Sequence, residues 1–170
     1  MAAFVGFMVQ ANGFHWPGQL TTSGVTYADI AAAGSPPAQW DALPFESKMQ
    51  IILAIGVLEA FSEHSYILKA QGTDHYMRGG KPGFYPSLTK GHSESGWGPH
   101  PVPLDLYDPF GFSAGRSDEA KAKGLIAEVN NGRLAMIGIF GFLAECSTPG
   151  SVPFGPHLPW SYAGEIMKPF

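Results

Sequence analysis

The run EVNNGRLAMIGIFGFLAE, residues 128–145, constrains this chain more than any other stretch. It sets the apolar segment Leu134 to Ala144 between two glutamates and places Asn-Asn-Gly-Arg near its start. Ser117, Asp118 and Glu119 supply a cap and acids for a first helical turn, and Thr148-Pro149-Gly150 supplies a stop. A helix over about residues 117–146 is therefore expected. On it Glu128 and Asn131 share a face, and Glu145 lies within about 40° of that face, about 21 Å further along the axis. Arg133 points about 140° away from Glu128, so each charge needs a partner from another element.

Two explanations fit that pattern. The apolar segment is short enough for a soluble core helix that exposes its Asn-Gly-Arg side. Alternatively the helix lies in lipid, where charges are costly and seldom present without function. The oxygens of Asn131 and Glu145 would then be ligands to something bound beside the helix, one near each membrane surface. Magnesium favours oxygen ligands, and a magnesium held in a flat macrocycle needs one axial protein ligand. Isolated ligands spaced along a helix suit that requirement better than an ion cage does.

Two further apolar segments support a helical chain. Residues 1–14 give only about 20 Å of helix, too short for a hydrocarbon core of about 30 Å, and they begin without a cap. The natural protein is expected to extend upstream. Residues 45–68 form the second segment, with Pro44 at its first turn and MQIILAIGVLEAF at its centre. About fifty residues rich in Gly, Pro and aromatics separate it from the third helix, too long for an ordinary connection and aromatic enough to pack against something. AFVGFMVQ and IFGFLAE share an aromatic-glycine-aromatic core. Small residues let backbones approach closely in a membrane, so the first and third helices are expected to cross as a pseudo-symmetric pair.

Composition narrows the classes. Charged residues are 14% of the 170, against about 25% in a typical soluble domain. The length suits a single domain over 1–170. A net charge of -4 with scattered basic residues excludes a nucleic-acid partner. The single cysteine, Cys146, excludes an intrachain disulfide and reads as a packing residue. A carboxylate-metal enzyme built on Glu59, Glu63, His64, Glu128 and Glu145 would want Glu-x-x-His on facing helices. Here Glu63 and His64 are adjacent and have no second copy.

The run from Glu128 to Met136, followed by Ile-Gly-Ile-Phe-Gly-Phe, resembles the third transmembrane helix of the light-harvesting chlorophyll-binding family. AFVGFMVQ resembles the second half of the family's first helix, and YDPFGF at 107–112 is similar to the Asp-Pro-Leu-Gly element before the third. WDALPFESKMQIILAIGVLE, HYMRGGKPGFYPSL, PGSVPFG and SYAGEIMKPF look most like the dinoflagellate chlorophyll a/c-peridinin antenna branch, with fucoxanthin chlorophyll a/c proteins the near alternative. The resemblance covers essentially the whole chain. It implies an all-α membrane protein with three transmembrane helices and long structured loops. It also implies a multi-pass place in the chloroplast thylakoid membrane.

Residue by residue, it implies that Glu128 and Asn131 hold magnesium of two central chlorophylls, Glu128 while paired to an arginine of the first helix. Arg133 pairs with a ligand glutamate of that helix, and both partners fall in a part of the helix that this sequence lacks. Glu145 stands where the green lineage has glutamine, and Glu59 occupies the second helix's ligand position. Gln50, on nearly the opposite face, and His157, between Pro156 and Pro159, are further candidates. Asp108, Pro109 and Phe110 resemble a cradle for a carotenoid end group, and Met136, Gly138 and Gly141 would line a carotenoid groove or simply pack. Glu63, His64, His15, His75, His92 and His100 are expected at the surface or in loop hydrogen bonds. The implied cofactors are chlorophyll a, chlorophyll c and carotenoids, either peridinin or fucoxanthin with a diadinoxanthin-type xanthophyll. The implied role is a non-enzymatic antenna serving a photosystem core, photosystem I on overall likeness, among neighbouring antenna subunits and thylakoid lipids. An energy-dissipating member of the family is the alternative.

Overall fold

The computed structural model describes residues 1–89, 105–153, 161–165 and 170. Their secondary structure is helical, with no strand among them and one isolated antiparallel bridge between Gln19 and Thr26. The helices are α1 (Ala2–Ala11), α2 (Tyr27–Ala31), α3 (Pro36–Ala42), α4 (Phe45–Glu63), α5 (Ser65–Ala70) and α6 (Asp118–Ser147), with a 3-10 turn at Tyr76–Arg78. Contacts group the chain into two compact units, one of Met1–Met49 with Ala122–Phe170 and one of Gln50–Lys121.

In the first unit, α1 stops where its sequence turns polar. Asn12 Nδ2 donates to Met8 O at 2.7 Å, and Gly13 takes φ 70°, the left-handed conformation that terminates helices. Thr26 caps α2 in a reciprocal box: its hydroxyl accepts from Asp29 N at 3.1 Å, and Asp29 Oδ2 accepts from Thr26 N at 2.8 Å. Pro36 and Pro37 open α3, where a missing N–H costs nothing. Buried Gln39 then ties three elements together, since its Nε2 donates both to Gln10 O of α1 (2.9 Å) and to Gly34 O (2.8 Å). Lys48, 8% exposed, donates to Asp41 O near the end of α3, which places a cation on a helix-terminal carbonyl.

The long α6 begins on Ser117, whose hydroxyl accepts from Ala120 N, and carries Asp118 and Glu119 in its first turn. Phe142 stacks on Phe4 and Phe7 of α1, with ring centroids 5.4 and 5.5 Å apart. Gly138 makes room for Phe4, because a Cβ there would come within 3.0 Å of Phe4 Cε2. Of the signature the two segments share, Phe4, Phe7 and Phe142 meet, whereas its glycines Gly6 and Gly141 have no atom of the other helix within 4 Å of a Cβ built there, so the contact rests on stacked rings.

In the second unit the apolar helix breaks earlier than its hydropathy suggests. It ends at Glu63, and His64 adopts extended backbone as the N-cap of α5. Ser62 Oγ donates back to Glu59 O at 2.9 Å, so the polar run Ser62 to Ser65 offers the backbone an exit from the helix. Beyond α5, Gln71 and Ser87 join two loop segments reciprocally: Gln71 Nε2 donates to Ser87 O (2.9 Å) and Gln71 Oε1 accepts from Ser87 N (2.8 Å). Ile67, Leu68, Pro86 and Leu88 are buried there.

Among the described residues, no helix is both long and apolar enough to cross a membrane. α4 and α6 reach about 28 and 45 Å at 1.5 Å per residue, so length is not what they lack. Acids, lysines and amides spread along both dilute their apolar character.

Candidate functional site

Glu128, Asn131, Arg133 and Met136 are all exposed on α6. Around them Leu125, Ile126, Val129, Leu134, Ile137 and Phe140 are exposed too, so the polar groups stand in an open apolar surface. Among the described residues neither Glu128 nor Arg133 belongs to a salt bridge. Beside Asn131, Gly132 faces open space, with nothing within 4 Å of a Cβ built there. On α4, Glu59 and Gln50 are likewise exposed, among Ile51, Leu53, Ile55 and Val57.

A second shared feature is what these ligand candidates do not do. Among the described residues no three His, Cys, Asp or Glu side chains converge. The oxygens are single and spaced. Glu59, Glu128 and Asn131 each present one exposed oxygen-bearing side chain amid apolar residues, an arrangement that could hold a magnesium carried in a flat macrocycle. Their apolar surroundings would bury the ring's faces.

Glu145 has another environment. It is 2% exposed, at the end of α6. Its Oε1 accepts from Gly150 N at 2.8 Å, and its Oε2 accepts from Val152 N at 3.1 Å and from Ser151 Oγ at 3.4 Å. The structure therefore does not bring Glu145 onto the same open surface as Asn131.

Asp108 shapes the turn before α6. It sits at φ 48°, its carbonyl accepts from Gly111 N and its Oδ2 accepts from Ser113 N at 2.7 Å. This turn holds Pro109 outward and leaves Phe110 and Phe112, 71% and 75% exposed, with their rings 5.7 Å apart. The Asp108 carboxylate is thus used for the backbone, and the two aromatic rings beside it are uncovered.

The histidines are dispersed. His15 Nδ1 contacts Trp16 O at 3.0 Å, His75 Nδ1 accepts from Met77 N, and His75 Nε2 lies 3.5 Å from Glu63 Oε2. His64 is an exposed cap. His157, His92 and His100 lie outside the described residues.

One cavity has no counterpart in the sequence-based expectations. It measures about 390 Å³ and is lined by Gln71, Phe84, Tyr85, Ser87, Asp105 and Tyr107, among others. Burial pushes the Tyr85 phenol up, helped by Glu59, and its hydroxyl has no hydrogen-bond partner among the described residues. Burial also works against Asp105, but hydrogen bonds from Thr89 N, the Ser87 and Thr89 hydroxyls and Leu88 N outweigh it and hold that carboxyl below the ordinary range. These groups come from loop positions far apart in sequence, which no motif or periodicity links.

Comparison with known proteins gives a consistent answer. The chlorophyll A-B binding protein family matches residues 1–146. A fucoxanthin-chlorophyll a-c binding protein of Trieres chinensis is 28% identical over 151 residues, covering 89% of this chain and 61% of the relative. Fucoxanthin-chlorophyll a-c binding proteins C and D of Phaeodactylum tricornutum are each 27% identical over 145 residues, covering 85% of this chain and 57% of each relative. The chain thus spans less than two thirds of the length of the curated relatives it matches.

Proposed function

The chain belongs to the chlorophyll A-B binding protein family, and from that premise we propose that it is a light-harvesting antenna apoprotein. It holds chlorophyll a, chlorophyll c and carotenoids and passes excitation energy to a photosystem core. The observation that carries this is that single oxygen-bearing side chains, Glu59, Glu128 and Asn131, are exposed among exposed apolar residues of their helices. Such a setting suits a ligand with a large apolar surface and one electrophilic centre, and it suits neither a solvated ion nor a polar substrate.

The chlorophylls and carotenoids would supply the light absorption; holding and orienting them falls to the chain. Glu59, Glu128 and Asn131 fix the distance and tilt of a macrocycle through one bond each, and the surrounding Leu, Ile and Phe side chains exclude water from its faces. Gln50 and His157 are secondary ligand candidates. Arg133 balances a carboxylate ligand, since an unpaired charge in an apolar setting is strongly unfavourable. Asp108, Pro109 and Phe110 cradle a carotenoid end, and Met136, Gly138 and Gly141 line its groove. Local charge and hydrogen bonding tune each pigment's energy, as they tune any bound metal centre. On this reading α1, α4 and α6 are three membrane-embedded helices in the thylakoid, with α1 and α6 crossed, and pigments cover the polar groups that dilute their apolarity. The chain makes and breaks no bond and is not an enzyme.

Chlorophyll c and fucoxanthin enter from the names of the relatives, with peridinin the rival carotenoid from the branch the sequence resembles. Photosystem I, with neighbouring antenna subunits, is the favoured partner on whole-chain likeness. Pigment extraction from the purified protein tests the proposal. Chlorophyll a, chlorophyll c and one dominant oxygenated carotenoid are expected, and a colourless preparation from native membranes contradicts it.

A further inference from the structure

We propose that Glu145 does not ligate a chlorophyll magnesium but is a clasp that closes the end of α6 with the protein's own backbone. The inference rests on the antenna reading for its contrast with Glu128 and Asn131, and on geometry for its content. An axial ligand needs an oxygen about 2.1 Å from the magnesium and an open approach for a ring far wider than the side chain. Glu145 is 2% exposed, and each carboxylate oxygen already accepts a backbone N–H, Oε1 from Gly150 and Oε2 from Val152, with the Ser151 hydroxyl at 3.4 Å. Asn131, by contrast, is exposed beside the open space at Gly132.

The clasp has a structural purpose. Thr148-Pro149-Gly150 ends α6, with Gly150 at φ 84°. Beyond that turn the chain returns: Tyr162 N donates to Cys146 O at 2.8 Å, one residue past Glu145, and Tyr162 OH donates to Asp41 Oδ2 at 2.6 Å. A carboxylate collecting the amides of Gly150 and Val152 fixes the turn by which the chain leaves the helix. Glutamine, a sufficient magnesium ligand through its amide oxygen, cannot keep this arrangement of one accepting oxygen for each amide, because one of its two terminal atoms is a donor. Carboxylate at this position is thus explained by the turn it holds. Direct magnesium ligation by α6 falls to Glu128 and Asn131.

Glu145→Gln and Glu145→Ala, loaded with the pigments extracted from the native protein, test this beside wild type. Two readouts are needed: chlorophyll per chain, and hydrogen exchange at the amides of Gly150 and Val152. The clasp predicts an unchanged chlorophyll count in both variants, with exchange faster by about tenfold or more at both amides in the alanine variant and at one or both in the glutamine variant. Loss of about one chlorophyll per chain in either variant overturns the proposal, as does unaltered exchange at both amides. If Glu145→Ala does not fold, the isosteric glutamine variant decides alone by the same two readouts. A wild-type protein that takes up no chlorophyll removes the antenna reading instead, while the exchange data still decide whether the clasp exists.

Discussion

The hydroxyl of Tyr162 donates a 2.6 Å hydrogen bond to Asp41 Oδ2, across 121 positions of sequence. It joins the segment after α6 to the last turn of α3 within one compact unit. The same bond pushes the phenol pKa up to about 12, aided by burial and by the charges of Asp41 and Glu165. A group whose folded pKa exceeds its unfolded value stabilises the fold below the unfolded value. That contribution is lost as pH rises from 10.0 through about 12. Tyr162→Phe is expected to cost about 0.5–1 kcal/mol near neutrality, small because the site is largely solvated. Thermal unfolding should show wild type losing its margin over Tyr162→Phe across that alkaline window, and a constant difference over the window contradicts the assignment.

Asp105 gives the opposite sign. Its folded pKa is held below the ordinary 3.8, so the stability it contributes is present above that value and is lost as pH falls through the folded pKa. Asp105→Asn keeps the shape but weakens the hold on Ser87 and Thr89. Amide exchange at Thr89 is expected to speed up in the variant at neutral pH and in wild type only under acid.

Gly138 and Gly132 should part company on substitution. A Cβ at Gly138 meets Phe4 at 3.0 Å, whereas at Gly132 it meets nothing. Gly138→Leu is expected to destabilise the pigment-free fold by about 1–3 kcal/mol by displacing Phe4 from Phe142. Gly132→Ala is expected to stabilise that fold by up to about 1 kcal/mol through helix propensity. If pigment occupies the space beside Gly132, the larger Gly132→Leu lowers pigment uptake without lowering pigment-free stability. Circular dichroism melts with and without pigment separate the two effects.

Asn131→Leu keeps the branched outline of the side chain and the apolar context of the site but removes its oxygen. In pigment-reconstituted protein it is expected to lose about one chlorophyll per chain, with the other pigments retained. Unchanged stoichiometry removes Asn131 from the ligand set.

The sequence makes α6 legible because cap, first-turn acids, apolar run and Pro-Gly stop agree over one long segment. The contact of α1 with α6 falls on the segments that share the aromatic-glycine pattern, but Phe4, Phe7 and Phe142 make it, with room at Gly138, and the pattern's own Gly6 and Gly141 take no part. Hydropathy carries the second helix to residue 68, but Ser62 back-bonding and the cap at His64 divide it, an outcome that local side-chain hydrogen bonds decide. The role of Glu145 is invisible to any motif, since its partners are main-chain amides of a turn and amides have no letter in a sequence. The loop network of Gln71, Ser87 and Asp105 is hidden for a related reason: its members meet only after a long chain excursion.

The fluorescence excitation spectrum of the purified, pigment-bearing protein tests energy transfer directly. With emission read from chlorophyll a, the excitation spectrum is expected to contain the chlorophyll c and carotenoid absorption bands, because pigments held at fixed distance and orientation pass their energy on. A spectrum holding chlorophyll a bands alone, from a preparation whose absorption shows all three pigments, contradicts the antenna function.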